Sequence, residues 1–130
     1  MKINANKIFA RDYWTCYLCT GLFLDGDLVP HHRGNRGAGG FKAANTPANV
    51  LSLCSLCNGL IESSASDATK ARKFGIKISK FDAGNAAQIP VAMPLHPGSI
   101  VRAWIVLDNE YGGCPVEERH QEQIQKMDEI

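Results

Sequence analysis

The chain has 130 residues, of which 45% are hydrophobic, and its formal net charge is +1. This length predicts a single domain with a modest core, and the composition is typical of a soluble globular protein. No apolar run approaches the roughly 18–20 residues that a membrane span needs, so we expect no membrane-spanning segment and no membrane partner. Residues 1–7 lack the apolar segment of a secretory signal, so we expect a cytoplasmic location.

The near-neutral charge hides an asymmetry. Residues 1–107 carry a net charge of +6, whereas residues 108–130 carry −5. A basic body suits a polyanionic partner such as nucleic acid, although this excess is also ordinary for globular proteins. We therefore predict a basic domain over residues 1–108 and an acidic C-terminal segment over residues 109–130, helical from Pro115 to Ile130.

The first half of the chain predicts three local structures. Residues 4–13 predict a short helix that leads into the first cysteine pair. The Asp-Gly turn between the apolar residues 22–24 and 28–29 predicts a small β-hairpin. Residues 33–48 are rich in glycine and lack apolar periodicity, so they predict a loop. This loop is longer than most connections, which itself suggests a functional role.

The second half predicts further short elements of both kinds. In chain order they are a strand or turn from Asn49 that leads into a helix ending near Ser63, a helix over 66–74, a strand over 76–79, a proline-rich segment around 89–97 and a strand over 103–107. The predicted fold is therefore a single α+β domain.

Four cysteines form two C-x2-C pairs, Cys16/Cys19 and Cys54/Cys57. Two such turns can present four thiolates to one tetrahedral zinc ion, and in a reducing cytoplasm this use is commoner than disulfides. A redox dithiol or four buried free thiols are the alternatives. Cys114 has no partner in this scheme and is interpreted as a free thiol. We predict a structural Zn²⁺ that docks the hairpin beside the helix.

The 34 residues between the pairs include His31 and His32, which with Asn58 and Glu62 after the second pair form a second candidate site. Asn58 and Glu62 are four residues apart, so they share one face of a helix, and His31 could supply a third ligand. This nitrogen and oxygen donor set suits a divalent cation such as Mg²⁺ or Mn²⁺. His32 is suited to remove a proton from water near neutral pH. We expect Asn49 to hydrogen-bond to the backbone or ring of His32.

Adjacent residues of a strand point to opposite faces. We therefore expect His31 to face the metal and the helix, and His32 to face the groove that holds the attacking water.

Basic residues near this site are candidate contacts to nucleic acid. Arg33 and Arg36 lie in the glycine-rich loop without acidic neighbours, which favours phosphate contacts over plain solvation. A second basic run is equally consistent with a solvated face or a DNA track. Its members are Lys70, Arg72, Lys73, Lys77 and Lys80.

This arrangement resembles the HNH endonuclease family, also called the ββα-metal or His-Me finger nucleases. It is similar in particular to small phage HNH proteins with a four-cysteine zinc site, over about residues 8–108. The shared features are His-His-Arg at 31–33, the Arg-x-x-Gly-Gly-type loop at 36–40, Leu-Cys before the final motif position, Ala-x3-Gly at 71–75, Pro-Val at 90–91 and Trp-x-x-Leu-Asp at 104–108.

The resemblance implies a role for each motif residue. His31 matches the metal ligand, His32 the general base and Asn49 the central asparagine that orients the base. Asn58 takes the final motif position, which is usually His, and Glu62 takes the place of a second ligand on the helix. The amide of Asn58 is a weaker and harder ligand than imidazole, which makes tight Zn²⁺ binding there less favourable.

The resemblance also implies a zinc-stapled ββα-metal core and a metal-dependent endonuclease that hydrolyses DNA phosphodiester bonds. It suggests a phage protein in the host-cell cytoplasm, linked to genome processing or packaging, with DNA and the terminase large subunit as partners. The alternative is a non-catalytic zinc-containing module that binds DNA or the terminase.

Overall fold

The structure is a computed structural model that describes residues 3–35 and 44–116. Residues 36–43 of the glycine-rich loop, Arg36 among them, and residues 117–130 of the predicted acidic helix lie outside these ranges. The described residues form three α-helices, five strands and two 3₁₀ segments. In chain order they are α1 (Ala5–Arg11), β1 (Leu28–His32), a 3₁₀ turn (Pro47–Asn49), β2 (Val50–Cys54), α2 (Ser55–Ser63), α3 (Ala65–Lys73), a 3₁₀ segment (Lys80–Gln88), β3 (Val91–Pro94), β4 (Arg102–Leu107) and β5 (Gly113–Pro115).

The described strands form two small antiparallel sheets. β1 pairs with β2 so that Leu28 lies opposite Cys54 and His32 opposite Val50. β3, β4 and β5 form the second sheet in that order. The chain passes from β2 directly into α2, so strand, strand and helix follow one another in space. The predicted α+β class is confirmed.

The predicted hairpin over residues 22–29 is wrong, because β1 has a distant partner. β1 pairs with β2, whereas Leu22 makes only an isolated bridge with Thr15. Every residue of β2 is buried, so this strand needs a covering neighbour, while Leu22 and Leu24 stay more than half exposed. The burial of apolar β2 therefore outweighs the local turn signal. Gly26, at φ +92°, forms the turn without a hairpin.

The second half also departs from the predicted pattern. Residues 76–79 form no strand, although the amide N–H of Ile78 donates to the carbonyl of Arg33 at 2.9 Å. Strand β3 lies inside the segment interpreted as proline-rich, and β5 pairs with β4 beyond the predicted boundary at residue 108. The helices predicted over 4–13 and 66–74 and the strand over 103–107 are confirmed within one or two residues at most ends.

A buried ion pair ties α1 to the first sheet. Asp12, only 1% exposed, accepts from Arg11 Nε at 2.8 Å and from the Tyr17 hydroxyl at 3.0 Å. It also accepts from the Ser52 amide at 3.0 Å and from the Ser52 hydroxyl at 2.8 Å. The Arg11 guanidinium in turn donates to the Val50 carbonyl at 2.7 Å. Because both charges are paired and hydrogen-bonded, their burial is tolerated.

None of the helices within residues 3–35 and 44–116 is long and apolar enough to cross a membrane.

We expect Asp12→Asn to lower the free energy of unfolding by about 3 kcal/mol, because the amide cannot accept from all these donors and leaves Arg11 buried without a counter-charge. Chemical denaturation measures the change, and Asp25→Asn at an exposed position is the matched control. Equal stability of the two variants would show that the ion pair contributes nothing.

Candidate functional site

Two parts of the structure could carry chemistry, and the first is the cysteine cluster. The Sγ atoms of Cys16, Cys19, Cys54 and Cys57 all lie within 4.8 Å of one another. Four thiolates around a tetrahedral zinc ion at about 2.3 Å would be about 3.8 Å apart, so this spacing fits a metal such as zinc. The Sγ atoms of Cys19 and Cys54 are 4.0 Å apart, which is too far for a disulfide bond.

In the turn of each cysteine pair, a backbone amide donates a hydrogen bond to the sulfur of the first cysteine. The amide of Cys19 donates to Sγ of Cys16 at 3.5 Å, and the amide of Cys57 donates to Sγ of Cys54 at 3.4 Å. The first turn is closed by the Thr15–Leu22 bridge, and the second is the start of α2. The two turns therefore belong to different elements that meet only in the folded chain.

Electrostatics in the cluster favour a bound cation. Burial raises the pKa of Cys16 to about 11, and burial together with the neighbouring thiols raises the pKa of Cys57. Burial would also raise the pKa of Cys19, but backbone and side-chain hydrogen bonds outweigh it and lower this pKa. Packing thiolates this closely is unfavourable without a positive charge between them, and a divalent ion would supply that charge.

The second part is an open cleft of about 480 Å³ beside the first sheet. It brings together three of the predicted catalytic and metal-binding residues, His31, His32 and Glu62, from β1 and α2. The remaining wall is polar and basic. The other lining residues are Arg33, Asn35, Arg72, Lys77, Ile78, Ser79 and Lys80.

His31 is buried at the base of this cleft, with 8% of its surface exposed. Its Nε2 lies 3.1 Å from the carbonyl oxygen of Ile76, which can only accept, so Nε2 carries the proton and Nδ1 keeps its lone pair. Burial lowers the pKa of His31 to about 4, against the opposing effect of hydrogen bonds with Ile76 and Asn58. The ring is therefore neutral at neutral pH, as a metal ligand must be.

The two predicted ligands on α2 lie near His31 in different ways. The Asn58 side chain lies close enough to the His31 ring to oppose the lowering of its pKa. Glu62 lines the cleft, with its carboxylate 3.8 Å from the Lys77 ammonium. Of the three proposed ligands, His31 and Glu62 line the cleft and Asn58 lies near His31, and their role in binding a divalent ion stays a prediction.

The two histidines were predicted to face opposite sides of the strand, but both line the same cleft. His31 is buried against the segment after α3, whereas His32 is half-buried and contacts a different segment. Nε2 of His32 lies 3.2 Å from Oδ1 of Asn45.

Asn49 is fully buried, and its side chain binds the backbone of Gly34 and Ala44 rather than the expected backbone or ring of His32. Its amide nitrogen donates to the carbonyls of Ala44 at 2.7 Å and Gly34 at 3.0 Å, and its oxygen accepts from the Gly34 amide at 2.9 Å. Its own carbonyl accepts from the Arg33 amide at 2.7 Å. Asn49 therefore closes the base of the long loop, two residues beyond His32.

Arg33 was expected to contact phosphate, but the structure gives its side chain another role. The residue is 1% exposed, and each of its five N–H groups donates to a backbone carbonyl. The acceptors are Gly75, Ala48, Ala86, Ile89 and Pro90, at 2.8–3.3 Å. Burial lowers the pKa of Arg33 to about 10, so the guanidinium remains charged at neutral pH. The expected phosphate contact is therefore replaced by an internal bracing role.

Sequence reasoning missed three residues that support these two sites. They are Asn45, the Ile76 backbone and Arg102, whose guanidinium donates to the carbonyls of Tyr17 at 2.5 Å and Leu18 at 3.0 Å and lies 4.2 Å from the Phe74 ring centroid. No local pattern distinguishes Asn45 from the other loop asparagines, or Arg102 from a surface arginine.

No protein-family model, curated protein or solved structure matches this chain.

We expect the purified chain to hold one zinc ion, and Cys54→Ser to lose it together with several kcal/mol of stability, because metal binding is coupled to folding. Elemental analysis and thermal denaturation measure both effects. Cys114→Ser, an exposed cysteine outside the cluster, is the control and should change neither. A metal-free chain of unchanged stability would contradict this expectation.

We expect Arg33→Lys to destabilise the fold by about 3 kcal/mol, because lysine replaces five directed donors by one flexible ammonium group. Denaturant titration checks this, with Arg72→Lys as the same exchange at an exposed position. Unchanged stability combined with weaker DNA binding would instead favour the phosphate contact.

Proposed function

We propose that the chain is a metal-dependent DNA endonuclease of the HNH type. The observation that carries the proposal is the convergence of His31, His32 and Glu62 on one open cleft, at the junction of an antiparallel strand pair and the helix that follows it. The resemblance in sequence implies that His32 is the base and that His31, Asn58 and Glu62 are the metal ligands. The arrangement of these residues is compatible with that assignment.

The donor set fits the divalent ion that this family implies. His31 supplies a neutral imidazole whose Nε2 is engaged by a carbonyl, an outer contact of the kind that fixes the tautomer of ligating histidines. Asn58 and Glu62 add an amide and a carboxylate oxygen, which favour Mg²⁺ or Mn²⁺. Such an ion would stabilise the negative charge that develops on the phosphate and on the departing oxygen.

His32 is the proposed general base. It is half-buried, so one side of the ring is held by the protein while the cleft remains open to water. In this scheme it removes a proton from the water that attacks phosphorus in line, and the 3′ oxygen leaves. The expected products carry 5′-phosphate and 3′-hydroxyl ends.

The basic wall of the cleft suits the phosphate backbone of DNA. Arg72, Lys77 and Lys80 line the side formed by α3 and the segment after it. Positive side chains on one side of a site hold the polyanion in register without reading its sequence. For these three members of the second basic run, the observation favours a DNA track over a solvated face.

The cysteine cluster would act as a structural zinc site in this scheme. Cys54 ends β2 and Cys57 lies in the first turn of α2, one residue before Asn58. A zinc ion bound there would fix the orientation of the helix that carries Asn58 and Glu62. The sequence resemblance alone extends the proposal to a phage protein that acts in genome processing with the terminase large subunit in the host-cell cytoplasm.

Zinc-loaded protein should cut plasmid DNA when Mg²⁺ or Mn²⁺ is added, and His32→Ala should reduce the rate by about 100-fold or more, because general-base catalysis typically contributes at least that factor. Gel analysis of plasmid conversion across a panel of divalent ions measures the rate. His96→Ala changes an exposed histidine outside the cleft and should cut at the wild-type rate.

Two results would contradict the proposal. Equal rates for wild type and His32→Ala would remove His32 as the base. DNA binding without cleavage under every metal condition would favour the non-catalytic zinc module instead.

A further inference from the structure

His32 has a side-chain partner that the sequence motifs did not indicate. Its Nε2 lies 3.2 Å from Oδ1 of Asn45. An amide oxygen only accepts hydrogen bonds, so in this contact Nε2 carries the proton and Nδ1 keeps its lone pair. The contact therefore selects one of the two neutral tautomers of the ring and restricts its rotation.

We propose that Asn45 is the positioning residue of His32, fixing the tautomer and the ring orientation in which Nδ1 acts as the proton acceptor. This inference rests on the proposed function, because it gives the contact a purpose in proton transfer. It also reassigns a role: Asn49, which the motif identifies with orienting the base, does not bind the ring.

Asn49 instead fixes the backbone on both sides of the contact. Its side chain donates to the carbonyl of Ala44, which directly precedes Asn45, and exchanges two hydrogen bonds with Gly34, the second residue after His32. Because Asn49 is fully buried, these bonds are shielded from competing water. Asn49 therefore holds the two ends of the loop at a fixed separation. Asn45, at one of these ends, is thereby placed against the His32 imidazole.

The neighbouring histidine shows the same principle with a different acceptor. Nε2 of His31 faces the backbone carbonyl of Ile76 at 3.1 Å, so both rings are held at Nε2 by an oxygen. A backbone carbonyl cannot be removed by substitution, whereas the amide of Asn45 can. The role of the acceptor is therefore testable at His32 but not at His31.

The direct test is the tautomer of His32 in the zinc-loaded, full-length protein. Long-range ¹H–¹⁵N correlation spectra at about pH 8 distinguish the two neutral forms, and the His32→Ala spectrum assigns the signals. We expect the Nε2–H form in the wild type. The Asn45→Asp variant keeps an oxygen acceptor and should keep this form, whereas Asn45→Ala should give a mixture of tautomers.

Kinetics on the same proteins supply the second readout. Asn45→Ala should lower kcat by about 10- to 100-fold with KM within about twofold of wild type, because a mispositioned base slows proton transfer without altering DNA binding. Asn45→Asp should recover most of the rate. Asn6→Ala, at an exposed position of α1, is the matched control and should leave kcat, KM and the tautomer unchanged.

An Nδ1–H form in the wild type, or an unchanged tautomer and kcat in Asn45→Ala, would overturn the inference. If Asn45→Ala fails to fold, the wild-type tautomer and the Asn45→Asp variant still decide it. A tautomer that responds to Asn45 in a protein that never cuts DNA would refute the proposed function alone. An active protein whose tautomer ignores Asn45 would refute the positioning role alone.

Discussion

The joint between β2 and α2 is the constraint on which both candidate sites depend. Cys54 is the last residue of β2, the N-cap of α2 and a member of the cysteine cluster, and it lies opposite Leu28 of β1. The strand that carries His31 and His32 is thereby placed relative to the helix that carries Asn58 and Glu62. Hydrogen bonds from the amide and hydroxyl of Ser55 to the Asp27 carbonyl hold the same joint next to the start of β1.

The side of the cleft formed by the segment after α3 depends on the close approach of the Gly75 and Pro90 backbones. Gly75 ends the turn after α3 at φ +74°, and a Cβ atom there would lie 2.3 Å from the carbonyl oxygen of Pro90. Only glycine fits both the conformation and the space. This contact places the Ile76 carbonyl against His31 and aligns Lys77 beside Glu62. The segment after α3 therefore completes a cleft that strand, strand and helix alone would leave open.

Local signals in the sequence predicted the α+β class, the short helices and the grouping of the four cysteines, since these follow from spacing and apolar periodicity. The pairing of β1 was not predicted, because the Asp-Gly turn favours a local hairpin while burial of all five residues of β2 requires a distant partner. The sequence identified His31, His32 and Glu62 as candidate site residues, but not the groups that hold the two histidine rings in place. The Ile76 carbonyl is 45 residues from His31, and a backbone acceptor leaves no mark in the sequence.

The buried Arg33 side chain connects the backbone segments that hold the two histidines. Its guanidinium donates to Gly75, next to the carbonyl that holds His31, and to Ala48, next to Asn49. The same group also holds three carbonyls of the segment that leads into β3. A single buried cation thus fixes the segments that position both histidines, and its five donors satisfy five backbone carbonyls in the core. An arginine next to two histidines suggests a phosphate ligand in sequence, yet its physical contribution here is to hold the site rigid from behind.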